Sequence, residues 1–205
     1  MNVALKNSGR YMPTLILIVV NVIVYAYTSF LSGNIIETSG DVMAAFGQDN
    51  YAILNGEVWR FLTAMFVHAD IVHIFGNMFF LLIFGLRAEG MFDVKEYLLI
   101  YFLSGLAGGF LTFIVSPDSL SVGASGAIFG VLGASLVYAR RAIGQSIITA
   151  LLYAFFLFMI NTGPNVNIFA HLGGLVTGLL VGYALAATRK PGQAYAYGYT
   201  YSHST

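Results

Sequence analysis

Apolar residues in this chain fall in long unbroken runs rather than in the alternation of a half-buried strand or the one-sided stripe of a soluble helix. The runs cover residues 11–30, 71–86, 97–115, 125–139, 143–160 and 168–187. A helix that is apolar all round belongs inside a membrane or a large core. Crossing about 30 Å of hydrocarbon at 1.5 Å per residue takes roughly 20 residues, so the runs predict six membrane helices. The runs that open near His73 and Ser125 look too short to cross alone, and their outer ends are expected below the membrane surface. The first run follows a short polar stretch with Lys6 and Arg10. It is longer than the apolar part of a signal peptide and has no convincing small-residue cleavage site after it, so it reads as a retained helix. Residues 31–60 mix apolar positions with Glu37, Asp41, Asp49 and Glu57, which predicts an outer loop at the membrane surface with short interfacial helices.

Composition sharpens that reading. Of 205 residues, 58% are hydrophobic and 9% charged, against about 25% charged in soluble domains. The 23 glycines suit helices packed closely through small residues. Cysteine is absent, which excludes a thiol nucleophile, a disulfide framework and a cysteine metal site. The net charge of zero gives no argument for a nucleic-acid partner. Placement of the charges is more informative, because cytoplasmic flanks retain Lys and Arg. With six crossings and the N-terminus inside, Lys6, Arg10, Arg87, Lys95, Arg140, Arg141, Arg189 and Lys190 all fall inside, and Arg60 alone falls outside. After Pro191 the alternating tyrosines have no strand to pair with and read as a disordered tail that includes His203. The expected organisation is therefore a cytoplasmic segment 1–10, one six-helix domain 11–190 and a cytoplasmic tail 191–205.

Strongly polar side chains inside membrane helices are costly and are functional candidates by default. They are His68, His73, Asn77, Ser125, Asn161 and His171, with Asn21 in the first helix. Helical rise carries Ser125 about 22 Å back from Arg140, His73 about 21 Å from Arg87 and His171 about 27 Å from Arg189, so three helices bring polar groups to one level in the outer leaflet. His73 and Asn77 share a helical face, as do His171, Gly174, Gly178 and Gly182. Gly126, Gly130 and Ala134 repeat that four-residue spacing. Should those small-residue surfaces meet, Ser125 and His171 come within hydrogen-bond reach. Serine needs a base to take its proton, and a neutral imidazole suits the task. No acidic residue lies within the predicted membrane segments, which points to a Ser125/His171 dyad rather than a triad. Phe129, one turn after Ser125, could pack on the His171 ring. His73, Asn77 and the Ser125 backbone N–H are oxyanion donors at a compatible depth.

Each residue also has a plainer reading. Gly-x-Ser-Gly in an apolar helix is ordinarily packing, Asn77 could be helix glue, Phe129 core, Trp59 with Tyr51 an aromatic anchor, and Arg60 a partner for lipid phosphate. His68 reads as structural rather than catalytic. Zinc-protease chemistry lacks the His-Glu-x-x-His pattern, no metal is expected, and an aspartyl protease would need membrane aspartates.

Trp59-Arg60, His68 and His73 followed by Asn77, Gly85 and Glu89, Gly123-Ala124-Ser125-Gly126, and Ala170-His171-Leu172-Gly173-Gly174 occur in this order. The ordered set resembles the rhomboid family of intramembrane serine proteases, and it spans the six-helix core. The resemblance implies that Ser125 is the nucleophile and His171 its base, with His73, Asn77 and the Ser125 amide lining the oxyanion hole. It puts Phe129 under the catalytic His, where relatives often carry Tyr. It makes Trp59 and Arg60 structural residues of a membrane-embedded first loop, and Glu89 a packing residue on the inner side. The fifth helix and the loop from Asn161 to Asn167 would form a gate and cap. Substrates would be single-span membrane proteins in the lipid bilayer, cut near the outer end of their transmembrane segment after a small residue, with no cofactor. The implied location is a prokaryotic plasma membrane with the site open to the outside. Two alternatives remain beside this reading. One is a non-catalytic rhomboid-like protein that binds transmembrane helices; the other is a small channel using His73 and His171 as a proton path.

Overall fold

The computed structural model describes residues 12–143 and 166–188. The expected cytoplasmic segment, the fifth helix beyond Ile143 and the tyrosine-rich tail lie outside the described residues. Within them the elements run α1 (Met12–Ser32), α2 (Gly40–Phe46), β1 (Gln48–Asp49), α3 (Asn50–Leu54), α4 (Arg60–Thr63), α5 (Ile71–Glu89), α6 (Val94–Val115), β2 (Leu120–Ser121), α7 (Ser125–Ile143) and α8 (Ile168–Thr188). α1, α5, α6 and α8 are each long and apolar enough to cross a membrane, and α7 contributes a shorter apolar helix, Ser125–Arg140. The protein is an all-α polytopic membrane bundle, with two short strands that the hydrophobic pattern does not signal.

α1 shows how the bundle is inverted relative to a soluble protein. Its buried face carries Thr14, Asn21, Thr28 and Ser29, while Leu15, Ile16, Val19, Val22 and Ile23 point outward. Lipid is as apolar as leucine, so helices associate through close packing and hydrogen bonds rather than by hiding apolar area. At the N-terminal end of α1, Glu89 Oε1 accepts the Thr14 backbone N–H at 2.7 Å, and Thr14 Oγ1 donates to Tyr97 Oη at 3.0 Å. A side chain at Gly85 would collide with those same groups. Gly85 and Glu89 thus join α1, α5 and α6.

The expectation that the helix near His73 is too short needs correction. Asp70 starts it before His73 by accepting the His73 backbone N–H, and Glu89 extends it beyond Leu86 because its carboxylate is bonded to Thr14. The 19 residues of α5 suffice to cross. α7 also has 19 residues, but its apolar part, Ser125–Arg140, is the short one, as expected. It is buried almost throughout, in contact with α5, α6 and most extensively α8.

The loop between α1 and α5 is ordered by polar contacts. Arg60 Nη1 donates to the carbonyls of Ala44 and Gly47, and its Nε pairs with Glu57 at 2.7 Å. The guanidinium therefore works inside the loop, not on lipid phosphate. Trp59 beside it is 58% exposed, in keeping with an interfacial anchor. Buried Gln48 donates to Asn50 and to the Gly109 carbonyl of α6, and β1 pairs antiparallel with β2. Tyr51 Oη donates to Asp118 at 2.9 Å, and that carboxylate holds the phenol above its ordinary pKa. Arg87, Lys95 and Arg140 gather at the opposite end, where the Phe92 and Tyr138 rings meet at 5.0 Å.

Candidate active site

Ser125 is the first residue of α7, and the turn before it is set by glycine. Gly123 has φ +122°, a conformation that side chains rarely tolerate, and its N–H donates to the Ala64 carbonyl of the first loop at 2.9 Å. A Cβ there would lie 2.8 Å from His73 Nε2. Gly123 thus lets the chain turn into α7 while the His73 ring rests against its backbone.

His171 reaches the serine because α7 and α8 touch backbone to backbone. A Cβ on Gly174 would run into the Gly126 carbonyl, one on Gly178 into the Gly130 carbonyl, and one on Gly182 into Ala134. The two small-residue faces seen in the sequence do meet, at matched spacing. At the N-terminal ends of the two helices Ser125 Oγ and His171 Nε2 are 2.7 Å apart, in a hydrogen bond between residues 46 positions apart in the chain. Phe129 stacks on the imidazole with centroids 4.6 Å apart and an interplanar angle of 30°. Ser125 is half-buried and His171 buried.

His73 and Asn77 join them from α5. Together with Ser125, Phe129, Ile128 and Leu132 they line a cavity of about 230 Å³ that continues past Phe80 to Phe84. Asn77 Nδ2 donates to the His73 carbonyl at 2.9 Å. A carboxamide nitrogen carries two hydrogens, so one remains for a group in the cavity. His68 stands behind this pair. Its fully buried ring meets His73 edge-on at 5.1 Å, its Nδ1 lies 3.2 Å from the Phe66 carbonyl, and its own carbonyl accepts from Thr38 Oγ1 at 2.8 Å. The His68 ring thus packs against His73 from behind. Phe129 can be tested for a purely steric role. Phe129→Tyr is expected to preserve turnover within about threefold, while Phe129→Ala, which frees the ring above it, is expected to lower kcat by about 10- to 100-fold. Steady-state kinetics on both variants checks this.

Trp59 and Arg60 lie in the loop between α1 and α5 and do not line the cavity, and Gly126 serves the α7–α8 contact. Asn21 bonds its own helix, donating to the Leu17 carbonyl at 2.7 Å, and takes no part in the site. Asn161 lies outside the described residues, as does the expected gate up to residue 165. Sequence reasoning missed Asp70, although Asp directly before the first apolar residue of a helical run, here Ile71, is a legible cap signal. It also missed the work of Asn167, which it treated only as the end of a loop.

Residues 55–188 match the family model described as "Rhomboid domain". The chain is 40% identical over 146 residues to RHOMBOID-like protein 6, mitochondrial, of Arabidopsis thaliana, covering 68% of this chain and 48% of that one. It is 33% identical over 195 residues to Rhomboid protease GluP of Bacillus subtilis, covering 89% and 36%. Rhomboid-like protease 3 of Toxoplasma gondii is 35% identical over 136 residues, covering 62% and 52%. The chain thus spans about half the length, or less, of these relatives. A family match running from the loop before Arg60 to the end of α8, on a helical membrane bundle, places this chain in the rhomboid family.

Proposed function

We propose that this protein is an intramembrane serine endopeptidase that cuts single-span membrane proteins near the outer end of their transmembrane segment, using Ser125 and His171. The observation that carries the reading is the 2.7 Å approach of Ser125 Oγ to His171 Nε2 at a cavity lined on its other side by His73 and Asn77. Relatives named as rhomboid proteases support the same class of reaction.

In this reading the Ser125 hydroxyl donates to neutral Nε2 and attacks the substrate carbonyl as its proton passes to His171. The tetrahedral oxyanion is met by the backbone N–H of Ser125, the second N–H of Asn77 and a ring N–H of His73. His171 then hands the proton to the departing amine, which leaves an acyl ester on Ser125. Water, deprotonated by His171, attacks that ester and restores the hydroxyl. Phe129 keeps the imidazole in plane through these transfers. Hydrolysis needs water, which the outer-leaflet depth of the site allows. Basic residues at the end of the bundle opposite the site agree with both termini on the cytoplasmic side and a site facing outward. The catalytic domain is residues 11–190.

The test is reconstitution in liposomes with a labelled single-span substrate. Cleavage by wild type and its loss in Ser125→Ala and His171→Ala is expected. Equal cleavage by all three would assign the chemistry to other residues, and none by any on a panel of single-span substrates would leave a helix-binding protein as the better reading. Asn77→Ala is expected to stay folded and to lower kcat by about 10²-fold, less than Ser125→Ala, because two oxyanion donors remain. Circular dichroism and kinetics on the purified variant distinguish this from a role as helix glue, which would unfold it.

A further inference from the structure

We propose that Asn167 is a positioning residue that sets the distance between Ser125 and His171; the role rests on the peptidase reading, while the geometry behind it does not. Asn167 lies four residues before His171, and Ser121 lies four before Ser125. Asn167 Nδ2 donates to Ser121 Oγ at 2.9 Å, so a second hydrogen bond between the same two chain segments stands just upstream of the first. Both bonds join residues 46 positions apart.

The same carboxamide does two more things. Its Oδ1 accepts the backbone N–H groups of Phe169 and Ala170, each at 3.1 Å, which caps α8. Its Nδ2 also donates to Thr112 Oγ1 of α6 at 3.0 Å, and that hydroxyl is oriented by donating to the Gly108 carbonyl at 3.0 Å. Thr112 and Ser121 are buried and Asn167 half-buried. One side chain therefore joins the start of the base's helix, the end of α6 and the segment leading to the nucleophile. Below this level, α7 and α8 are held by glycine packing, which resists approach but not separation or sliding at the open outer end. Asn167 supplies the polar tie there. His171 follows one helical turn later on the same rigid element, so a shift at Asn167 is delivered to the imidazole.

Thr112→Val with Ser121→Ala removes both acceptors of the carboxamide nitrogen and leaves the α8 cap intact. In the full chain in liposomes, this pair is expected to lower kcat on a single-span substrate about tenfold with KM within about twofold, since misplacing a catalytic group lowers turnover rather than binding. Ser121→Thr, which keeps the hydroxyl, is expected to retain wild-type kcat. The thermal midpoint of the double variant should stay within a few degrees of wild type. The 15N NMR signal of His171 Nε2 should move away from its Ser125-bonded position in the double variant and in Asn167→Ala, but not in Ser121→Thr. A folded double variant with unchanged kcat and an unchanged imidazole signal overturns the proposal. So does a loss of activity that equals the loss of folded protein. If wild type cleaves nothing, the peptidase reading fails by itself, and the imidazole signal still decides whether Asn167 sets the distance.

Discussion

Ser125→Ala is expected to reduce cleavage of a reconstituted single-span substrate by at least about 10⁴-fold, the scale on which removing the nucleophile acts in serine hydrolases. The variant should bind substrate nearly as wild type does, because the change removes one oxygen and leaves the other side chains that line the cavity in place. Its thermal midpoint should also be unchanged. Ser125 heads α7, and its side chain makes its hydrogen bond to His171. The α7–α8 contact itself is made by Gly126, Gly130 and Ala134. His171→Ala is expected to fall nearly as far, and the two losses should not add, since either change removes the same proton transfer. Single-turnover kinetics in liposomes provides the measure. A Ser125→Ala protein that still cleaves at a tenth of the wild-type rate would assign the chemistry elsewhere.

Gly178→Val is expected to have the second largest effect, although the residue touches no reacting group. Its Cα lies against the Gly130 backbone, where an added Cβ meets the carbonyl oxygen with no flexible side chain able to yield. Overpacking of a tight contact costs about 1–3 kcal/mol and occasionally more. Here α7 and α8 must separate to accept the added isopropyl group, and the separation is carried along the helices to Ser125 and His171. Turnover is expected to drop at least about 100-fold, with the thermal midpoint lowered as well. Phe129→Ala changes the ring beneath His171 without moving the helices, so the two variants separate disorder of one side chain from displacement of a whole element. Cysteine crosslinking between the outer ends of α7 and α8 would report the separation directly. Wild-type turnover in Gly178→Val would mean that the close helix contact does not set the catalytic distance.

Much of this site is legible in the chain because a membrane makes polar residues conspicuous. Against a background of leucine, isoleucine and phenylalanine, His73, Asn77, Ser125 and His171 stand out, and helical rise assigns them a common depth. Four-residue glycine spacing predicts which faces can approach. Arg60 shows the limit of that reasoning. Its lone outer charge fits a lipid phosphate equally well, and only the loop's folding turns the guanidinium inward onto Ala44 and Gly47. Asp70 and Glu89 show another limit, since the hydrophobic run 71–86 is shorter than the helix that forms. Capping and a buried carboxylate bond extend α5 at its two ends, and neither depends on hydropathy.

Asn167 shows a third. A carboxamide in a loop has nothing in its neighbours to set it apart, because its partners Thr112 and Ser121 lie 55 and 46 residues away. By itself, the order of residues determined that the chain inhabits a bilayer, where its helices begin and end to within a few positions, and which few side chains have the chemistry to hydrolyse a bond. Those properties follow from local hydrophobicity and helical period. Tertiary structure alone decided that α7 and α8 meet in the register that brings Ser125 Oγ within 2.7 Å of His171 Nε2. Distance between groups on different helices depends on backbone contact and cross-chain hydrogen bonds, which pair residues far apart in sequence and leave no periodic trace along it.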